Sequence, residues 1–233
     1  MKRYLFISIL LLIFYSFKCY AWFDETHMAA AKAAGYKKWY YAVSADMVRI
    51  KAGDIEKYNH FFDNFNDVKI TPEMVLKQAE LYDNPTDMEG HLYGAIVASF
   101  RQYNEASESG KHIAEYYLAF CSHYIGDLSN PLHNMLYDDF NKQHHFINDG
   151  VVDAEVMENL DKIKTNMPYL KLSKDNFEND LAKEIARIAN NARQLGHKLQ
   201  KEKRDMTKEE AYKQLGQSAS LLKALLKHSG NFN

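Results

Sequence analysis

Cysteine is nearly absent: the 233 residues hold two, Cys19 and Cys121. Cys19 falls in an N-terminal stretch that reads as a cleaved leader, so one thiol is left, which excludes an intrachain disulfide and any thiolate-rich zinc finger. Stability must then come from packing. Positive charge is also short. Lys and Arg number 29 against 31 Asp and Glu, a formal −2, and removing Lys2, Arg3 and Lys18 with a leader that holds no acid moves the balance to −5. A broad polyanion binder is normally basic, so this argues against electrostatic capture of duplex nucleic acid, although divalent metals in a cleft would make it locally positive. Sustained period-two alternation, internal repeats and low-complexity linkers are all missing, which leaves no sign of a sheet, a solenoid or a second tethered domain.

The leader is read from its parts. Lys2 and Arg3 precede an apolar stretch from Tyr4 to Phe17 and a short polar end closing in Cys19, Tyr20 and Ala21. The stretch is too short for a stable bilayer anchor. A lipidated Cys19 would need small residues just upstream, and Phe17 and Lys18 do not fit. The expectation is a signal peptide over 1–21, cut before Trp22, releasing 22–233 as a single soluble domain that is secreted or periplasmic. That length supports one substantial core.

What is there is helical. Thr26 to Ala34 is alanine-rich and stops at Gly35, and Lys37 to Lys51 carries Trp39, Val43, Met47 and Ile50 at helical spacing before Gly53. Pro72 after Thr71 opens a helix that halts near Asn84 and Pro85. Thr86 with Glu89 predicts a capping box for a helix through Ala106, and Gly110 separates it from a helix over Lys111 to Leu128. Phe177, Leu181, Ile185, Ile188, Ala192, Leu195 and Leu199 form one apolar stripe, and Thr207 with Glu210 caps a final helix. Several amphipathic helices must bury their stripes against each other, so the expected fold is an all-α, single-domain helical bundle around a metal-binding cleft.

The chemistry concentrates between His123 and Asp149. His123 and Asp127 lie four residues apart on one helical face, and Ser129, Asn130 and Pro131 end that helix, so His133 arrives from a turn in a different direction. Asp127 has two oxygens and can bridge ions, which a histidine cannot. His145 with Asp149 forms a second such pair, preferred over His144, whose partner four residues on is Asn148. A lone histidine is ordinarily a hydrogen-bonded core or surface group. For His91, His112, His197 and His228 that reading holds. A whole set of buried carboxylates and imidazoles in one short stretch is costly unless a cation compensates it. Nitrogen and oxygen donors of this kind suit zinc. Cys121 is expected to pack rather than react.

The stretch IGDLSNPLH between and around His123, Asp127 and His133 resembles the signature of the superfamily that joins bacterial zinc-dependent phospholipase C to the fungal single-strand-specific nucleases. Other positions are similar too: Trp22 at the expected new N-terminus, His27 after it, Asp54 and His60 within AGDIEKYNHFFDN, and the closing pair His145 and Asp149. The resemblance runs from Trp22 to Asp149.

It implies three zinc ions. Asp54, His60, His123 and Asp127 would hold one, His133, His145 and Asp149 a second, and Trp22, through its amino nitrogen and carbonyl oxygen, with His27 a third that shares Asp127. It further implies hydrolysis of a phosphodiester by a zinc-activated water that Asp54 orients or deprotonates. Phospholipid is the expected substrate, with Glu25 and Tyr58 resembling groups that meet a choline ammonium and with peripheral membrane contact. Single-stranded nucleic acid is the alternative. The short interval from Trp22 to His27 is nuclease-like, whereas Phe23 and Asn148 depart from the nuclease pattern. A non-catalytic helical zinc-binding module, with closed four-ligand sites, is the third reading. No stable protein partner is expected.

Overall fold

The computed structural model describes residues 22–230. The expected leader and its polar end lie outside them. Within them the chain forms ten α-helices and no strand: α1 Asp24–Ala34, α2 Ser44–Ala52, α3 Asp54–Lys57, α4 Pro72–Gln78, α5 Leu92–Glu108, α6 Ala114–Leu128, α7 Asp139–Asp149, α8 Leu160–Thr165, α9 Phe177–Glu202 and α10 Lys208–His228. The architecture is an all-α single domain.

Helices α5 and α6 form the central antiparallel pair, joined through Gly110, whose φ of 63° suits a residue without Cβ. Both are nearly continuous in buried residues, because they are covered on several sides. Around α6 pack α1, α2 and α10, and α9 packs across α4, α5 and the 3-10 turn Pro131–Asn134. Helix α1 buries Ala29, Ala30, Ala31, Ala33 and Ala34 along with Thr26 and His27, and its alanines are small enough to let it lie close to its neighbours. Helix α9 buries Leu181, Ile185, Ile188, Ala192 and Leu199 and ends at Lys203, in the left-handed region at φ 52°.

Local signals succeed where nothing competes with them. Thr71 accepts from Met74 N at 3.3 Å with Pro72 in the first turn of α4, and Thr207 and Glu210 make the full reciprocal box on α10. The Thr86 box does not form. Thr86 instead donates to Asn84 Oδ1 at 2.8 Å, Gly90 turns the chain at φ 80°, and α5 starts only at Leu92. The reason is tertiary: His91 N donates to Tyr58 O and Leu92 N to Phe61 O, so the 58–61 strip occupies the place where a longer helix would run. The helix expected over Lys37 to Lys51 is likewise two pieces, a 3-10 turn Trp39–Val43 and α2.

Candidate metal centre

The last turn of α6 sets the centre. Helical phase puts His123 and Asp127 on the same face, and both are fully buried. Asp127 Oδ2 lies 3.1 Å from His60 Nδ1 and 3.3 Å from His123 Nε2, while Oδ1 lies 3.3 Å from His27 Nε2. One carboxylate thus touches histidines from α1, from α6 and from the segment after α3. Beyond α6, Asn130 accepts from Leu132 N at 3.0 Å to cap the 3-10 turn and donates to Asp149 Oδ1 at 2.8 Å. The same side chain therefore aims His133 and fixes Asp149, whose Oδ2 is left to face His145 Nε2 at 3.5 Å.

Three buried groups can hold metal ions: His27, His123 and Asp127; Asp46, His60 and His123; and His133, His145 and Asp149. Within each, the donor atoms all lie within 4.8 Å of one another. A ring nitrogen has one lone pair and serves one ion, so the first two groups, which share His123, amount to four side chains, His27, Asp46, His60 and His123, around the two oxygens of Asp127.

Hydrogen bonds on the far side of the rings test whether a cation fits. His123 Nδ1 donates to Ala42 O at 2.7 Å and His133 Nδ1 to His60 O at 2.6 Å. His145 Nδ1 donates to Asn141 Oδ1 at 2.6 Å, an oxygen by assignment because Asn141 Nδ2 donates to Leu132 O at 2.8 Å. A carbonyl oxygen only accepts, so each Nδ1 carries the proton, and in the neutral ring each Nε2 presents a lone pair inward. Two of those lone pairs point at carboxylate oxygens. Such an approach is repulsive unless a proton or a metal cation lies between, and an imidazole held through its outer nitrogen is the usual form of a metal ligand. Both nitrogens of His27, Asp46 Oδ1, Asp127 Oδ1, His133 Nε2 and Asp149 Oδ2 are buried without a hydrogen-bond partner. Leaving so many polar atoms unsatisfied is expensive, and divalent ions among these groups would satisfy the inward-facing ones, one nitrogen of His27 included.

The electrostatics agree. Burial opposes charge on His60, yet hydrogen bonds to Asp127 and Glu56 outweigh it and push its pKa up to about 9. Burial would raise Asp127, but His123, His133 and His27 hold its carboxyl well below the usual range. Asp149 goes the other way: burial, with Asp127 and Asp46 nearby, raises it well above a normal carboxylate despite the Asn130 hydrogen bond. His27 is lowered by burial and by the neighbouring His123, onto which its ring stacks at 3.8 Å.

Of the residues expected from the sequence, His27, His60, His123, Asp127, His133, His145 and Asp149 come together. Asp54 does not, and that expectation is corrected. Gly53, at φ 60°, turns the chain so that Asp54 opens α3 on the surface, its side chain 64% exposed and 4.0 Å from Lys57 Nζ. There a carboxylate complements the helix N-terminus. Its place is taken by Asp46, on the buried face of α2, with Oδ1 3.7 Å from His60 Nδ1 and Oδ2 3.8 Å from His123 Nε2. Trp22 is fully buried, and Phe23 N donates to Asp149 O at 3.4 Å, so the described chain begins against the third group. Glu25 is exposed in the first turn of α1 and lines no part of the cleft. Tyr58 does line it, but the cation over its ring is the chain's own Lys57, 5.0 Å from the centroid. His144 pairs outward with Asp205 at 2.7 Å. Cys121 is buried with Sγ 3.6 Å from Ile96 O, and burial pushes its thiol up to about 12, an inert packing role.

Glu56 was missed, though its spacing was legible: it stands four residues before His60, with Oε1 3.3 Å from His60 Nε2, and is itself buried and held by Tyr124 Oη at 2.6 Å. Asp46 carried no comparable signal, since α2 meets α6 only in three dimensions.

A cleft of about 440 Å³ opens over His60, His133 and His145. Its walls are mostly apolar, from Phe61, Met88, Leu132 and Met135, with Tyr58 and Tyr137 beside them. The charged residues on it are Arg49, Lys57 and Asp63, and Asp63 Oδ1 already accepts from Tyr137 N at 3.1 Å. Comparison with family models, with curated proteins and with solved structures finds no match to this chain.

Proposed function

We propose that the protein is a zinc-dependent phosphodiester hydrolase of the phospholipase C type, exported after cleavage before Trp22, with three zinc ions held by the grouped histidines and aspartates and by the new N-terminus. The observation that carries this reading is Asp127, whose two oxygens face histidines of adjoining donor groups, beside a third group, with the cleft opening over their histidines. His27 and Trp22 would hold one ion, Asp46, His60 and His123 another, and His133, His145 and Asp149 the last, with Asp127 shared between the first two.

Zinc supplies Lewis acidity and lowers the pKa of water, which suits attack on phosphorus. The chain supplies the rest. Asp46 is the carboxylate placed to accept a proton, the role expected of Asp54. Arg49 lines the cleft with Nη1 3.9 Å from Asp46 Oδ1, where its planar fork can meet phosphoryl oxygens. Glu56, Asn141 and the carbonyls of Ala42 and His60 hold the imidazoles in one orientation, so little reorganisation is needed when charge develops. The apolar walls exclude water and suit the glycerol and acyl part of a lipid.

Single-stranded nucleic acid is kept as the second reading because Phe61 and Tyr137 line the cleft and offer faces on which bases stack. The deciding experiment assays the purified, zinc-loaded protein side by side on phosphatidylcholine, single-stranded DNA and RNA. Diacylglycerol release supports the phospholipase and nucleotide release the nuclease; turnover that persists in a verified zinc-free preparation refutes both.

A further inference from the structure

The segment leading into the cleft carries an apolar surface that the catalytic reading does not use. Tyr40 and Tyr41 on the 3-10 turn, Met47 and Ile50 on α2 and Ile55 on α3 are all exposed, Met47 and Ile50 at 64% each. Exposed apolar residues scattered singly are ordinary. These five occur within sixteen consecutive residues, and Met47 and Ile50 are neighbours on one helical face.

Their charge is one-sided. Lys37, Lys38, Lys51 and Lys57 lie in the same stretch, Lys38 3.5 Å from Glu115 and Lys57 4.0 Å from Asp54, while the segment's other acids, Asp46 and Glu56, are buried. Among the described residues no carboxylate lies within ion-pair distance of Lys37 or Lys51. In a chain of net negative charge this is a local inversion. The centres of protein–protein interfaces are poor in lysine, whereas lysines ringing exposed Met, Ile and Tyr are the composition of a surface that settles into lipid headgroups. Tyrosine in particular suits that depth, with an apolar ring and a polar tip.

We infer that the 3-10 turn Trp39–Val43 together with α2 and α3 docks this protein on the surface of an anionic phospholipid bilayer. The placement joins docking to the cleft: Arg49, Lys57 and Tyr58 belong to the same stretch and line it, and Met88, 74% exposed, continues the apolar rim from the other side. A bilayer under α2 would meet the mouth of the cleft directly. The inference deepens the phospholipid reading and shares its substrate class, but the surface stands on its own residues.

The test separates the two. Zinc-loaded protein is sedimented with vesicles of phosphatidylglycerol and phosphatidylcholine mixed, and with phosphatidylcholine alone. A double variant, Met47→Glu with Ile50→Glu, and a single variant, Lys51→Glu, are compared, and turnover of a water-soluble monomeric short-chain phospholipid is measured alongside. The wild type is expected to partition preferentially onto the anionic vesicles and to lose binding as salt rises. The double variant is expected to bind at least about tenfold more weakly, and Lys51→Glu several-fold more weakly, each with unchanged soluble turnover and melting midpoint. Wild-type protein that ignores anionic vesicles, or variants that bind like wild type, would overturn the inference. So would wild-type self-association that the double variant abolishes, since the face would then be a protein interface. Vesicle binding without diacylglycerol release would remove the phospholipase reading and leave the docking surface standing.

Discussion

Gly126 offers a quantitative probe of the centre. It lies inside α6, where replacing glycine by alanine ordinarily gains about 1 kcal/mol of helix stability. Here a Cβ would fall against the His27 ring, nearest to Nδ1 and 2.7 Å from Cε1. The ring has nowhere to go: it is buried, stacked 3.8 Å from His123, and holds Nε2 3.3 Å from Asp127 Oδ1. Overpacking of this kind costs about 1–3 kcal/mol, so Gly126→Ala should destabilise by roughly 0–2 kcal/mol net and lose the ion that His27 helps to hold. The sign reverses once the obstacle is removed. On a His27→Ala background, the same substitution should recover about 1 kcal/mol of helix propensity, giving a strong coupling between the two sites. Denaturant unfolding of the four proteins, with zinc content by elemental analysis, completes the cycle. If Gly126→Ala stabilises equally on both backgrounds with full metal content, the close approach of α6 to His27 is refuted.

Other expectations follow from the same geometry. Asp46→Asn should abolish high-affinity zinc uptake at its group and hydrolysis with it, whereas Asp54→Asn should leave both within about twofold, a contrast read by metal titration and phosphodiesterase assay. Glu56→Gln should weaken zinc binding by about 10–100-fold while keeping the fold, because it loosens His60 without removing a donor; unchanged affinity would show that His60 is fixed by something else. In metal-free protein, His60 has its pKa raised to about 9 against an unfolded value near 6.5, so its stabilising contribution is complete below pH 6.5 and fades as pH climbs through 9. His123 is raised as well and adds to the same trend, whereas His27 and His133, lowered by burial, contribute with the opposite sign only until the unfolded imidazoles lose their protons, just above pH 6.5. Zinc uptake needs the same nitrogen deprotonated, so affinity should strengthen from pH 6.5 to 9 with proton release, measured by calorimetry in two buffers.

Much of the centre was legible in the sequence because α-helical phase is a local property. A histidine and an aspartate four residues apart face one way whatever the rest of the chain does, and that fixed both the His123–Asp127 and His145–Asp149 pairs. Asn130 and Pro131 likewise announce the turn that delivers His133. The carboxylate beside His60 is different. Asp54 is the carboxylate expected there and Asp46 carries no local signal, because the outcome depends on which face of α2 meets α6 and on the left-handed turn at Gly53.

The chain by itself determines an all-α domain, since its apolar residues recur at helical intervals and its caps are written next to them, and it determines which short stretches carry paired donors. Only tertiary structure decides where α5 begins, that Asp46 joins the histidines while Asp54 faces water, and that lone pairs and carboxylates converge without partners. The physical reason is that burial and orphaned polar atoms are properties of contacts between distant segments, whereas periodicity and capping are properties of neighbours along the backbone.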